Sequence, residues 1–535
     1  MLIKANLLAV LQTFLALATL ATADASIVNL GYAQYQGSVD TVTNTTSFLG
    51  IRYAAPPLGN LRWAAPQPPP TISGVQQATT QPNECYQAPL GNASTNPFEN
   101  SSLSKRAVGQ SEDCLFLNVY TPGSVVVASQ SGGLPVVVYI HGGGYISGAA
   151  SLYNGAELVV ESNYGVIAVV LQYRLGLFGF LAGEAVKEGG ALNGGLLDQN
   201  YALQWIQQYI SLFGGDPTKV TIWGQSAGGG SVLQHVVAHG GNTQPPLFRA
   251  AMTSSMFLSS QYNYNDRIPE IMYSMVLIPS HSCGSSSDTL SCVRAADINT
   301  LQTLNYNINL GGFYGTLTFV PVVDGSFIVE RPTVTLSKGR LNGNSLLAVV
   351  NTHEGNILVD QSTTMGVPEF IGNIFPNFGS AQINGAAAMY QNLGSNVDQA
   401  NLVMSESMFV CPTYYLLEAF EKKAWKAEFA ISPGLHAMDI GEYFISYLTG
   451  PVFDNSQFIT SFSNSFMAMV MFETPNHRYT PGDITPTWKK WRHDSTEMIF
   501  NKTSEGAPDV YTSQTDTDLL DRCTYWRNVS AYSVQ

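Results

Sequence analysis

Ser226 stands in Gly224-Gln225-Ser226-Ala227-Gly228, after the apolar run 220–223 and before Gly229-Gly230-Ser231-Val232-Leu233. The order strand, tight turn, helix is the context that gives a G-x-S-x-G pattern meaning: the serine occupies a strained turn, and small neighbours let the turn pack against strand and helix. A serine hydroxyl attacks a carbonyl carbon poorly unless a base takes its proton and donors receive the charge that develops on oxygen. His141-Gly142-Gly143-Gly144-Tyr145 follows another apolar run and supplies such donors. With no Cβ in the way, the N–H groups of Gly143 and Gly144, together with that of Ala227, can approach a tetrahedral oxyanion. A merely flexible turn is the alternative, and the elbow in the same expected sheet weighs against it.

The base and its orienting acid are expected downstream in the order acid, then histidine. His353 adjoins the best acid, while His477 and His493 lie in Pro-rich or Lys/Trp-rich, surface-like stretches. That leaves His436, in the loop 433–439 after the strand-like run 427–431. Glu354 follows the apolar run 346–350 and is the acid of choice; Asp360 and Asp324 are fallbacks, and Asp439 stands too close to His436 in sequence to be preferred. His235 and His239 have the i, i+4 spacing of a zinc pair, but no H-E-x-x-H glutamate accompanies them, so they are expected to be ordinary helix histidines. No metal and no organic cofactor is expected.

These residues need a frame that brings them together. Runs 136–140, 166–171 and 220–223 have the length and composition of buried parallel strands. Between the last two, residues 196–213 show apolar positions three or four apart and end at Gly214-Gly215, the pattern of a crossover helix. This predicts an α/β fold with a large, mostly parallel central sheet flanked by helices. In such sheets ligands bind beyond the carboxyl ends of the strands, where Ser226 and the glycine turn both fall. The Pro-rich stretch 66–70 and the serine run 285–287 are too short for linkers, so residues 24–535 are expected to form one domain with long insertions over the site.

The chain has 535 residues, 24 Lys plus Arg against 38 Asp plus Glu, a net charge of -14 and only 12% charged residues. This excludes a disordered chain and argues against nucleic-acid partners, which require a basic surface. Lys4, the apolar run 7–20 and Ala21-Thr22-Ala23 predict a signal peptide over residues 1–23 and a secreted product. That run is shorter than the ~20 residues needed to cross a bilayer, and no later run is long enough, so no stable membrane insertion is expected, at most transient contact with a lipid surface. Export agrees with the N-x-S/T sequons at Asn44, Asn92, Asn100, Asn501 and Asn528. It also agrees with six cysteines, which allow many pairings; sequence order favours Cys85 with Cys114, Cys283 with Cys292 and Cys411 with Cys523.

Longer segments carry a resemblance. Residues 48–57 (FLGIRYAAPP), 112–122 (EDCLFLNVYTP), 141–144, 173–180 (YRLGLFGF) and 220–228 resemble the type-B carboxylesterase/lipase family of α/β-hydrolases, and the second of them is highly specific to it. The resemblance covers nearly the whole chain after residue 23 and is closest in tone to secreted fungal lipases and esterases. It implies the triad Ser226, Glu354 and His436, the oxyanion donors Gly143, Gly144 and Ala227, the three disulfide pairs above, and scaffold ion pairs Arg62 with Glu112 and Arg174 with Asp198. It also places Ser254 near the triad, with Ser255 where relatives have glycine.

The same resemblance implies a small-molecule or lipid ester as substrate: fatty acyl esters of glycerol, sterols or carotenoids with broad acyl range, or else feruloyl-type or short-chain esters. The Cys85 to Cys114 loop has no Trp, which argues against choline esters, and only scattered apolar residues such as Phe98, Leu103 and Val108, which make a poor lipid-facing lid. The segment between Glu354 and His436 is short for the family, predicting an open pocket mouth. A catalytically silent adhesion module on the same fold is the competing reading; retention of all three triad residues argues for the enzyme. The sequence sets no oligomeric state.

Overall fold

Runs of Val, Ile and Leu too short for helices become the middle of one sheet. In a computed structural model, residues 24–92, 109–124, 126, 128–129, 132–277, 283–421 and 423–535 are described. The segment 1–23 expected to be a signal peptide, the sequon at Asn100, and Phe98, Leu103 and Val108 of the Cys85 to Cys114 loop lie outside them.

The strands are β1 (Asp24–Asn29), β2 (Gln34–Asp40), β3 (Thr45–Arg52), β4 (Phe116–Pro122), β5 (Leu134–Ile140), β6 (Ile167–Leu171), β7 (Gly215–Gln225), β8 (Ala250–Ser254), β9 (Ser345–Asn351), β10 (Ala424–Phe429), β11 (Thr496–Lys502) and β12 (Pro508–Gln514). They lie in the order β1-β2-β3-β4-β6-β5-β7-β8-β9-β10-β11-β12, with a short strand Val75–Gln77 beside β2. From β6 to β11 every pairing is parallel, while β1 to β4, the junction of β4 with β6, and β12 are antiparallel. This is the α/β-hydrolase arrangement that the sequence predicts.

Both faces of the parallel strands are covered, which is why they read as unbroken apolar runs. Val136, Val138 and Ile140 of β5 join one core with Ile222 and Leu346; Val137 and Tyr139 join the other with Trp223, Leu347 and Val349. The crossover between β6 and β7 is helix α1 (Gly194–Tyr209), prolonged by a 3-10 turn to Phe213 and ended by Gly214 at φ 88°. The elbow leads into α2 (Ala227–Gly241), whose backbone leaves helical angles at residues 238–240. Four later helices bear on the site or on stability: α3 (Arg267–Leu277), α4 (Asn396–Ser405), α5 (Ser456–Phe472) and α6 (Thr517–Ser533). One boundary differs from expectation. The strand expected over 427–431 is β10, which begins three residues earlier, and its last bond to β11 runs from Ala430 N–H to Phe500 O (2.9 Å).

The three disulfides join Cys85 to Cys114, Cys283 to Cys292 and Cys411 to Cys523, the pairs that sequence order favours. Arg62 holds Glu112 through two bonds of 2.6 and 2.8 Å, and Arg174 holds Asp198 through two of 2.7 Å. Among the described residues no helix is long and apolar enough to cross a membrane.

Two further carboxyls are pressed against α5 on the second core face. Glu161 accepts Asn464 Nδ2 (2.7 Å), and Glu442 accepts Phe453 N–H (3.0 Å). Burial without a cation raises each to about 7 from the ordinary 4.5. Between pH 4.5 and 7 the folded chain therefore binds more protons than the unfolded one, so stability is highest at the acid end and falls as pH rises through 7. At about 1.36 kcal/mol per pH unit this is at most about 3 kcal/mol per group. Glu442→Gln, which keeps the acceptor and removes the charge, should raise the unfolding midpoint at pH 8 and leave it nearly unchanged at pH 5; equal effects at both pH values in thermal unfolding would refute the assignment.

Candidate active site

The parallel strands deliver the candidate residues to one end of the sheet. Gln225 closes β7 beside Ser254 of β8, and Ser226 follows at φ 56°, ψ −125° as the turn into α2. That turn survives because its neighbours lack side chains: a Cβ on Gly228 would stand 2.0 Å from Ile140 O at the end of β5. The glycine turn after β5 packs on the same elbow, since a Cβ on Gly142 would meet Ser226 Cβ at 3.0 Å. Gly143, at φ 100°, has its carbonyl bonded by Ile146 and Ser147 N–H (3.0 and 2.9 Å), which fixes the peptide plane that carries the Gly144 N–H group.

β9 ends at Asn351 and the chain turns so that Glu354, fully buried, lies under the loop following β10. His436 Nδ1 donates to Glu354 Oε2 at 2.5 Å. With that proton on Nδ1, Nε2 carries the lone pair. Gln225 Nε2 donates to it at 3.3 Å. The imidazole packs against Phe409, ring centroids 4.7 Å apart. Phe409 lies in a π-helical segment, Glu406–Val410, between α4 and Cys411. The structure thus brings Gln225, His436 and Glu354 together, while the fallback acids serve elsewhere. Asp324 accepts Asn193 Nδ2 and caps the turn at Ser326; Asp360 caps the turn at Ser362.

Beneath the glutamate runs a polar network the sequence does not announce. Glu354 Oε1 accepts Asn351 N–H (2.6 Å); Asn351 Nδ2 donates to Ser255 Oγ (2.9 Å) and to Asp439 Oδ1 (3.0 Å). Asp439 Oδ2 accepts Tyr443 OH (2.6 Å). Burial, and secondarily Glu354, hold the Asp439 carboxyl above its usual range. The serine joined to Glu354 through Asn351 is therefore Ser255. Ser254 Oγ instead accepts Trp223 Nε1–H (3.1 Å) and, as the tyrosine proton goes to Asp439, donates to the Tyr443 hydroxyl oxygen (2.9 Å).

Three other histidines are engaged away from the elbow. His235 is buried, faces Gln199 Oε1 at 3.1 Å and is lowered to about 3 by burial; His239 lies 3.3 Å from Ser326 O. His353 Nδ1 donates to Pro433 O. Among the described residues no group of three or more His, Cys, Asp or Glu could hold a metal ion.

A cavity of about 250 Å³ adjoins the site. Phe257, whose N–H bonds to Ser226 O (3.3 Å), and Met408, beside Phe409, are among its walls. So is Leu317, whose Cδ2 lies 2.4 Å from where a Gly144 Cβ would be. Among the described residues no Asp, Glu, Lys, Arg or His lines it.

Comparison with known proteins decides the family. The carboxylesterase family model matches residues 24–498. The chain belongs to the carboxylesterase family. It is a carboxylic ester hydrolase, 31% identical to carboxylesterase patB of Aspergillus clavatus over 96% of this chain and 97% of that one. Secreted lipase 1 of Botryotinia fuckeliana is 31% identical over 65% of this chain and 63% of its own length. The solved structure of Aspergillus niger EstA superposes with a TM-score of 0.82 at 29% identity, over 96% of this chain and 99% of that one.

Gln225 gives this carboxylesterase an uncharged neighbour at His436 Nε2. A carboxylate there would stabilise the imidazolium. Gln225→Glu is expected to move the acid limb of the kcat/KM profile upward by about one pH unit, with the alkaline plateau reduced less than about tenfold. An unmoved acid limb would show that residue 225 does not act on the imidazole.

Proposed function

We propose that this carboxylesterase is a secreted serine hydrolase that cleaves uncharged fatty acyl esters through Ser226, His436 and Glu354. The observation that carries the reading is the 2.5 Å bond from His436 to Glu354 at the strand ends that also present Ser226, next to a cavity that no charged group lines among the described residues. His436 Nε2 takes the Ser226 proton as Oγ attacks the ester carbonyl. Glu354 stabilises the imidazolium, and the N–H groups of Gly143, Gly144 and Ala227 bind the oxyanion. The imidazolium then protonates the leaving alcohol, and water, activated by the same imidazole, releases the acid. In an unliganded site the serine to histidine bond is often loose and tightens only with substrate. None of these steps calls for a metal or organic cofactor.

Secretion is supported by the sequence of residues 1–23, the three disulfides and the likeness to a secreted lipase. The sequon asparagines Asn44 and Asn528 are exposed and are the first to expect glycosylated. Residues 24–535 are proposed to act as one domain.

A methylene fills about 30 Å³, as a liquid water does. The cavity of 250 Å³ therefore takes roughly eight of them. Rates on p-nitrophenyl esters from acetyl to palmitoyl are accordingly expected to peak near octanoyl or decanoyl. Ser226→Ala should lose at least about 10³-fold in kcat on all of them. A peak at acetyl, or with a feruloyl ester far ahead of any aliphatic one, would replace the fatty acyl reading by the short-chain or aromatic one. Equal rates in the variant would remove Ser226 from the mechanism.

A further inference from the structure

Helix α3 is apolar around more of its circumference than its packing uses. Pro269, Tyr273 and Val276 are buried in the core; Ile268 and Met272 are half-buried and line the 250 Å³ cavity. Beyond them on the same side lie Ile271 and Met275, each 45% exposed. At 3.6 residues per turn these seven side chains sweep roughly 200°, twice the stripe a surface helix needs to face a core. The remaining arc carries the half-buried Leu277 beside Tyr273 and then Arg267, Glu270 and Ser274, and Glu270 is turned inward onto the Glu184 N–H (2.7 Å). The surplus apolar edge is thus continuous with the cavity wall through Ile268 and Met272 and is flanked by polar residues, the form of a helix that rests on an apolar surface.

Charge narrows what that surface is. The chain carries a net charge of -14, so an anionic bilayer would repel it, and among the described residues no charged side chain lines the cavity to which the edge leads. We propose that Ile271 and Met275 seat the enzyme on the surface of an aggregated, uncharged ester, with the acyl chain passing along Ile268 and Met272 into the cavity. This rests on the reading of that cavity as the place of the apolar part of the substrate. It assigns lipid-surface contact to α3, a different element from the Cys85 to Cys114 loop.

The test compares the full chain with the double variant Ile271→Ser/Met275→Ser, and with Ile271→Leu/Met275→Leu as the conservative control. Two substrates are used: p-nitrophenyl butyrate below its solubility limit and detergent-free droplets of trioctanoylglycerol. The serine variant should hydrolyse the soluble ester within twofold of the parent while its droplet activity and droplet-adsorbed fraction fall about tenfold; the leucine variant should keep both. Equal adsorption of parent and serine variant overturns the proposal, as does a parallel loss on the soluble ester. Stronger adsorption of the parent to phosphatidylglycerol vesicles than to droplets would overturn the choice of an uncharged surface. A parent dimer in sedimentation that the serine variant abolishes would assign the edge to a second copy of the chain instead. A parent inactive on the soluble ester would instead refute the proposed function, while adsorption still reports on α3.

Discussion

Ser226 is held at φ 56°, ψ −125°, outside the backbone regions that L-residues favour. Such a conformation costs on the order of 1–3 kcal/mol. The strain persists because three backbone bonds overdetermine it: Ser226 N–H to Ser254 O (2.9 Å), and Ser226 O accepting Gly230 (2.8 Å) and Phe257 (3.3 Å) N–H. Each partner then has a second duty. Ser254 ends the strand that pairs with β7, Gly230 belongs to the first turn of α2, and Phe257 is a cavity wall. Relaxing the turn would therefore disturb the sheet end, the helix start and the pocket together, and the glycines at 142, 143 and 228 let those three parts close on it.

A second constraint is electrostatic. In the proposed mechanism the imidazole becomes positive and needs a carboxylate held still, yet Glu354 has no exposure to water. Asn351 answers this with its backbone N–H on one Glu354 oxygen and its side-chain amide on Ser255 and Asp439. Two buried carboxyls thereby share one amide residue, and burial first, with Glu354 as a smaller cause, holds Asp439 above its usual range. Ser255 tolerates φ 51° to reach this position. That is a left-handed angle, which a glycine would adopt without strain. The hydroxyl at that position is what gives the Asn351 amide its second acceptor.

What the sequence discloses follows from how local each cause is. The elbow, the glycine turn and the strands β5 to β9 are visible because each is dictated by its own few residues: small side chains in tight turns, apolar runs with two covered faces. Glu354 and His436 are visible because each follows a strand-like run, so chain order and sheet direction fix which end they reach. Asp439 is set aside in sequence as too near His436 to serve as the acid, and it does not bond the imidazole, but nearness in sequence is what lets it enter from below through Asn351. Choosing between Ser254 and Ser255 needs the side on which each side chain falls after β8, and that depends on a backbone reversal no periodicity records. The contact of Gln225 with His436 pairs residues far apart in sequence, and the π turn at Glu406–Val410 has no composition of its own.

That π turn shows how the last helix reaches the chemistry. A π segment inserts one residue's worth of extra turn, and such insertions recur at functional sites because they re-aim the side chains around them. Here Met408 faces the cavity, its carbonyl accepts Leu258 N–H (2.8 Å), and Phe409 lies on His436. Such a turn has poorer internal bonding than an α-helix, so something outside must hold it. Helix α6 does so at both ends: Arg522 grips Glu406 with bonds of 2.8 Å, and Cys523 is bonded to Cys411. Glu406 is buried, and burial raises its carboxyl while Arg522 opposes that rise. The pair is retained only because Tyr390 OH (2.8 Å) and the bidentate fork satisfy both oxygens. The ion pair fixes the start of the π turn and the disulfide its end, which leaves Phe409 one place to stand. The wall behind the imidazole is thus set by a helix that contributes no atom to the reaction, and the strand-end chemistry and the distant helix form one mechanical unit.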